Sequence, residues 1–220
     1  MAEFALIADT LFPLAPNHAP GIRETVSPTP AVNEPTDEEL LRRVASRNGA
    51  SVAALEGLFL RHAGPLGGFL RGLLREDSEA EDLVHDAFIR VAEKAATFRE
   101  ESSFRTWLFS LALNLARTRC RRVALKERTE EKMMRSRPAG TALENASDPV
   151  WSAQQRELRM RVDRAIATLA EPEREVFLLY WFGKLPYAEI TQLTGVSVPA
   201  AKMRVHRALA RLGEQLEEFR

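Results

Sequence analysis

Along most of the chain apolar residues recur every three or four positions, the spacing of one face of an α-helix, and no segment alternates as a half-buried strand would. At "TDEELLRRV", Thr36 followed three residues later by Glu39 is a capping-box signature that predicts a helix start. From residue 53 to 74, Leu55, Leu58, Phe59, Phe69, Leu70, Leu73 and Leu74 predict helix, with a break near "GPLGG". The stretch "DSEAEDLVHDAFIRVAEKAATF" offers Ser78 and Glu81 as a second capping box and repeats Leu83, Val84, Ala87, Phe88, Val91 and Ala92 at helical spacing. A further helix, from about Phe104 to Arg122, sets Phe104, Leu108, Leu111 and Leu115 on one face. Leu158, Val162, Ile166 and Leu169 make another stripe, and "PEREVFLLYWFG" another, with Pro172 in its first turn and Gly183 as its stop. Last, "LPYAEITQLTGVSVPAAKMRVHRALARL" predicts a short helix, a turn at Gly195 and Val196, a cap at Ser197 and a longer helix. The expected fold class is all-α.

Breaks in this pattern divide the chain. Residues 1–35 hold Pro13, Pro16, Pro20, Pro28, Pro30 and Pro35 with little periodicity, so a disordered extension is expected there. A first helical domain is expected over 36–122, a flexible linker over 123–155 centred on "SRPAGTALENASDP", and a second helical domain over 156–220. A length of 220 residues suits two small domains.

Charge changes the picture through its placement. With 31 basic and 31 acidic residues the chain is formally neutral, which excludes a generic polycation that coats nucleic acid. Yet Glu76, Asp77, Glu79, Glu81, Asp82 and Asp86 cluster in one stretch, Arg117, Arg119, Arg121, Arg122 and Lys126 in a second, and Lys202, Arg204, Arg207 and Arg211 in a third. Opposite signs on separate segments predict at least two different partners. The single cysteine, Cys120, forms no internal disulfide and is expected as a small packed residue in a reducing, cytoplasmic protein. "MAEFALIADTLF" lacks the basic start of a secretory signal, and no run of about 18 apolar residues predicts membrane insertion.

No glycine-rich phosphate loop, cysteine pair or nucleophile motif is visible, so no catalytic, cofactor or metal residue is expected and the chain is read as a non-enzyme. The competing enzymatic reading takes Asp82, His85 and Asp86, or Glu81 with His85, as metal ligands one helical turn apart. It needs further ligands from unlinked positions such as His62, and carboxylates on a helix exterior are ordinarily a solvated face.

The C-terminal segment matches a helix-turn-helix, whose second helix enters a major groove. Val198, Ala201, Val205, Leu209 and Leu212 would pack inward, leaving Pro199, Ala200, Lys202, Met203, His206 and Arg207 outward as base and phosphate contacts. In "FREESSFRTWLFSLALNLARTRCRR", residues 98–122, Ser102 or Ser103 would cap the helix and set Thr106, Ser110, Asn114, Arg117 and Arg121 on its polar face. Short polar side chains in the preceding loop could hold an extruded base, with Phe98, Phe104 and Trp107 as pocket walls or as core.

These residues resemble a known family. "SEAEDLVHDAFIRV", "FREESSFRTWLFSLALNLARTRCRR" and "LPYAEITQLTGVSVPAAKMRVHRAL" are similar, in this order, to regions 2 and 4 of the extracytoplasmic-function sigma factors, small two-domain members of the sigma-70 family. The resemblance spans about 36–122 and 156–218 and implies a promoter-recognition subunit of bacterial RNA polymerase. It implies that Asp82, His85 and Asp86 dock on core RNA polymerase, with Leu83 and Phe88 in the core of the fold. Glu101, Ser102, Ser103, Phe104 and Trp107 are implied at or beside the site of minus-ten melting, with Asn114, Arg117, Arg121 and Arg122 along the promoter DNA. Ser197, Pro199, Ala200, Lys202, Met203, Arg204, His206 and Arg207 are implied at the minus-thirty-five element. The family also implies an anti-sigma factor as regulator. Pro186, Pro199 and Ala200 depart from the residues common in the family, which bears on promoter preference and not on fold. The competing reading within DNA-binding proteins is an autonomous helix-turn-helix regulator that acts without polymerase.

Overall fold

The structure, a computed structural model, describes residues 34–74, 77–133 and 153–217; residues 1–33 of the N-terminal extension expected over 1–35 and the centre of the expected linker lie outside them. Among the described residues there are eight α-helices and no strand: α1 (Asp37–Ala45), α2 (Ser51–Leu74), α3 (Asp77–Lys94), α4 (Phe104–Met133), α5 (Ala153–Thr168), α6 (Glu171–Trp181), α7 (Tyr187–Thr194) and α8 (Val198–Glu217). A single 3-10 turn, Ala95–Thr97, follows α3.

The first capping box is formed as the sequence predicts: Glu39 N–H donates to Thr36 Oγ1 at 3.2 Å and Thr36 N–H to Glu39 Oε2 at 3.0 Å. The second is not. Helix α3 begins at Asp77, so Ser78 already lies inside its first turn and cannot act as the cap. The break expected at "GPLGG" is also absent, because α2 runs through Pro65 without interruption. An internal proline costs a helix about 3 kcal/mol or more. Here Leu58, Leu66, Phe69 and Leu70, all fully buried, hold the helix together from its core side, each contributing roughly 1.5–3 kcal/mol. Helix α4 continues past the expected end at Arg122 to Met133, through "VALKERTEEKM", a run rich in strong helix formers.

Helix α2 is the hub. Helices α1, α3 and α4 pack around it, and α5 and α6 from the C-terminal half cover its remaining side. The small residues of α2 admit that last contact: a Cβ on Gly72 would stand 2.6 Å from Leu178 Cδ2, and one on Gly68 would overlap the Phe182 ring. The two halves therefore share one continuous core. Within the C-terminal half, α8 packs on α5, α6 and α7. Gly195, at φ 72°, ends α7 in the left-handed conformation that glycine tolerates, and its N–H donates to Thr191 O at 2.9 Å.

Gly68→Ala should destabilise by about 1–3 kcal/mol, because the added methyl must displace a packed aromatic ring. Gly57→Ala, whose Cβ would meet only Leu40 Cδ1 at 3.5 Å, should stabilise by up to about 1 kcal/mol. Urea unfolding with the two midpoints moving in opposite directions is the expected result; midpoints moving together would refute the seam.

Candidate nucleic-acid interface

The acidic helix α3 sorts its faces cleanly. Leu83, Val84, Ala87, Phe88 and Val91 are buried, whereas Glu81, Asp82, His85 and Asp86 are exposed, with Ile89 extending the same surface. Asp82 and Asp86 make no ion pair with the described residues. His85 Nδ1 lies 3.0 Å from Glu81 O, and its ring rests 5.8 Å from that of Phe59, so the imidazole is fixed at the edge of the carboxylate row. His62, which a metal reading would recruit, is buried elsewhere, with Nε2 2.6 Å from Asp37 Oδ2.

The loop before α4 ends in a serine cap. Ser103 Oγ accepts from Thr106 N–H at 3.2 Å, and Ser103 O accepts from Trp107 N–H at 3.1 Å. Thr106, which helical spacing assigns to the outward face, is instead 3% exposed, because its hydroxyl turns back to Ser103 Oγ at 2.9 Å. Phe104 is fully buried with its ring 5.3 Å from His62, so it supports the site from beneath. Trp107 and Phe98, both half-buried and 5.1 Å apart, form a wall that reaches the surface, with Glu101 exposed and Ser102 half-buried beside it. Farther along α4, Asn114, Arg121 and Arg122 are exposed. Arg117 is engaged by Glu175 of α6, with Nη2–Oε1 at 2.6 Å and Nε–Oε2 at 3.3 Å, and Arg119 by Glu79 of α3. Cys120, expected as a packed residue, is exposed; partial burial and then the nearby Glu171 carboxylate push its thiol above the usual range, away from thiolate reactivity.

Beneath this loop lies a junction that spacing does not reveal. Glu38 Oε1 of α1 accepts from Phe104 N–H at 3.0 Å, and Arg42 Nε lies 3.2 Å from Glu100 Oε1 in the loop. Asp37 takes His62 and also Arg61 Nη1, at 3.0 Å. Burial would raise the Asp37 carboxyl, but the hydrogen bond and charge of His62, then those of Arg61, outweigh it and hold the group below its ordinary 3.8. Only the capping-box role of "TDEE" is legible as a pattern, since the other partners come from distant segments.

In the C-terminal half, Ser197 caps α8: its carbonyl accepts from Ala201 N–H at 2.9 Å and its Oγ from Ala200 N–H at 3.4 Å. Ala201, Val205 and Leu212 are buried as expected and Leu209 is partly so, but Val198 is exposed at the helix start. Pro199, Lys202, Met203, His206 and Arg207 are exposed, and Ala200 and Arg204 are half-buried. The ammonium of Lys202 sits 5.7 Å over the Tyr187 ring. Burial and then Tyr180, stacked 5.2 Å away, push the Tyr187 hydroxyl up to about 12. Glu173, buried at the start of α6, reaches Arg211 Nη1 at 3.0 Å and Arg207 Nη1 at 3.5 Å. Tyr187 and Glu173 thus steady the basic face, and no motif in the sequence announces either.

Residues 58–125 match the family model for sigma-70 region 2, and residues 159–212 that for sigma-70 region 4. The chain is 32% identical over 173 residues to the RNA polymerase sigma factor CarQ of Myxococcus xanthus, covering 79% of this chain and 94% of the relative. It is 30% identical to the ECF RNA polymerase sigma factor RpoE of Cereibacter sphaeroides, covering 82% and 96%. Among solved structures, CnrH in complex with the cytosolic domain of CnrY is similar at TM-score 0.58 and 25% identity, over 83% of this chain and 97% of that one. The sigma factor RpoE in complex with the anti-sigma factor NepR from Bartonella quintana shares the fold at TM-score 0.57 and 22% identity, over 75% and 98%.

The lowered Asp37 carboxyl fixes the sign of an acid effect. Its contribution to stability is fully present above the titration of the unfolded carboxyl, near about pH 4, and is lost as pH falls through the lower folded value. Stability of Asp37→Asn should therefore fall less steeply than wild type below that pH, as read by urea midpoints along a pH series. Parallel curves would show that Asp37 is not the titrating group.

Proposed function

The chain belongs to the sigma-70 family of RNA polymerase sigma factors, in its extracytoplasmic-function branch, and we propose that three of its surfaces divide the work of promoter recognition. As a sigma factor it is a DNA-binding transcription-initiation factor that directs core RNA polymerase to promoters. The exposed Asp82, His85 and Asp86 of α3 dock on a basic surface of core polymerase, since Asp82 and Asp86 stand one helical turn apart and can engage one partner together. Glu101, Ser102, Ser103 and Trp107 hold the separated minus-ten strand, supported by buried Phe104, and Asn114, Arg117, Arg121 and Arg122 follow the phosphates. Ser197, Pro199, Ala200, Lys202, Met203, Arg204, His206 and Arg207 meet the minus-thirty-five duplex. Opening is driven by binding the displaced strand, without hydrolysis, so the protein is not an enzyme. The observation that carries this assignment is the sorting of charge: an outward acidic face inside the region-2 match and an outward basic face inside the region-4 match.

The proposed domains, 36–122 and 156–220, are joined by a linker over 123–155 whose first residues continue α4 to Met133 and whose last residues begin α5, and they account for how both elements are reached. Two DNA elements about 25 base pairs apart are separated by roughly 85 Å of B-form duplex. A compact chain of this length spans on the order of 45 Å. The seam between α2 and α6 must therefore open on a promoter, which frees Arg117 from Glu175. An anti-sigma factor, the kind of partner seen with the Bartonella sigma factor, would act by favouring the closed form. No helix among the described residues is long and apolar enough to cross a membrane.

Transcription by core polymerase supplemented with this chain, on a randomised promoter library, tests the function directly. Specific start sites should appear only when both are present. Tight duplex binding by the chain alone would instead support an autonomous regulator.

Replacing Asp82 and Asp86 together by Lys should abolish holoenzyme assembly in gel filtration while leaving the unfolding midpoint within about 0.5 kcal/mol of wild type, as expected of exposed positions. Normal assembly would sink the docking assignment. Lys202→Ala combined with Arg207→Ala should weaken upstream recognition and reduce the salt slope of holoenzyme binding by about one to two, at roughly 0.9 for each phosphate no longer neutralised. An unchanged slope would count against α8 in the groove.

A further inference from the structure

We propose that α1 is the mount that holds the strand-capturing loop in register, with Glu38 as the positioning residue; this rests on the assignment of residues 98–107 to strand capture. Asp37, Glu38 and Glu39 are consecutive carboxylates, and successive helical residues point about 100° apart. Each therefore serves a different element. Glu39 closes the cap of α1, Asp37 binds Arg61 and His62 of α2, and Glu38 accepts the N–H of Phe104 at the start of α4.

The N-terminus of α4 shows why Glu38 is needed. Thr106 N–H and Trp107 N–H are satisfied by Ser103, whereas Phe104 and Arg105, the first two residues of the helix, have no acceptor within it for their N–H groups. Glu38 supplies one for Phe104 from a residue 66 positions away, and its negative charge also complements the positive end of the helix dipole. One turn farther along α1, Arg42 meets Glu100, so positions 38 and 42 of one helix face clasp both ends of the segment 100–104. The mount is itself immobilised. His62, 1% exposed, bonds Asp37 through Nε2 and sets its ring edge-on to Phe104, the residue that Glu38 caps. The Phe98 and Trp107 wall stands on this base through the ring contact of Trp107 with Phe104 at 6.2 Å.

Glu38 lies under the loop and acts through it, so its removal should alter strand affinity without touching the other two surfaces. The test uses holoenzyme made from the full chain and core polymerase. The probe is a labelled single strand carrying the non-template minus-ten sequence of a promoter recovered from the randomised library. Glu38→Ala should weaken strand binding about five- to tenfold, the order expected for an uncapped buried N–H. Core affinity and binding of an upstream duplex should stay within about twofold. Glu38→Gln, which keeps an acceptor, should recover most of the loss.

Ile166→Ala, a cavity in the core of α5 away from α1 and the loop, controls for simple destabilisation: it should lower the unfolding midpoint at least as much and leave strand affinity unchanged. Strand binding that follows midpoint alike in both variants, or that is intact in Glu38→Ala, overturns the proposal. Should Glu38→Ala fail to fold, Arg42→Ala serves in its place, with a loss of about twofold that deepens at low salt because the Arg42–Glu100 pair is exposed. No loss at either ionic strength overturns the mount equally. Trp107→Ala separates the two levels. If it weakens strand binding and Glu38→Ala does not, only the mount fails; if neither does, the loop assignment fails with it.

Discussion

The structure depends on one helix being coverable from several sides at once. Helix α2 meets α1, α3 and α4 of its own half and α5 and α6 of the other, a demand that an ordinary amphipathic helix cannot satisfy. Its side toward the C-terminal half is built from glycine, with Gly68 against Phe182 and Gly72 against Leu178, so that aromatic and branched side chains fill the space its own residues leave. The composition that makes the sequence look like a helix break is thus what lets two halves of the chain close on each other. The opening proposed on a promoter would part this seam between the side chains of facing helices.

That opening matters because the functional surfaces have opposed needs. The acidic face of α3 points to solvent and keeps Asp82 and Asp86 available whether the halves are together or apart. Arg117 is different: it lies on the seam, and Glu175 holds it in a two-point hydrogen bond as long as α6 is in place. Closure therefore leaves one partner surface open while occupying part of another. On the surfaces proposed above, polymerase docking would leave the seam undisturbed, and contact of Arg117 with DNA would follow only once it parts.

Much of the architecture was legible because it follows from periodicity: the all-α class, the capped start at Thr36, the stop at Gly195 and the helix-turn-helix with Ser197 at its cap. What periodicity misjudged were places where tertiary packing overrides local preference. Pro65 and its neighbouring glycines read as a break, yet the core packing of Leu58, Leu66, Phe69 and Leu70 carries the helix through them, and Ser78 matched a capping pattern while sitting one position inside the helix. Thr106 fell on the polar side by spacing, yet a bond to its own cap residue draws it inward. In the site, the outward positions of α3 and α8 follow the helical repeat except at Val198, while the role of Asp82, His85 and Asp86 was implied by the family resemblance. Glu38, Glu173 and Tyr187 could not be chosen from the repeat, because what gives each its role is a partner far away along the chain.

The internal partners of the arginines also explain how a formally neutral chain can serve DNA. Arg117 faces Glu175, Arg119 faces Glu79, and Arg207 and Arg211 share Glu173, so the basic faces carry their own carboxylates. Each pair keeps its arginine 37–57% exposed, so water and salt screen it from that side, although the carboxylates of Glu79, Glu173 and Glu175 are mostly buried. A phosphate backbone, presenting many charges at fixed spacing and releasing counterions as it binds, offsets the loss of such pairs only when it engages several arginines together. A random polyanion gains little from any single exchange, whereas a duplex laid along α8 or α4 makes several together. On the proposed DNA surfaces, pairing each arginine at home would disfavour indiscriminate binding and leave affinity to the geometry in which the contacts add.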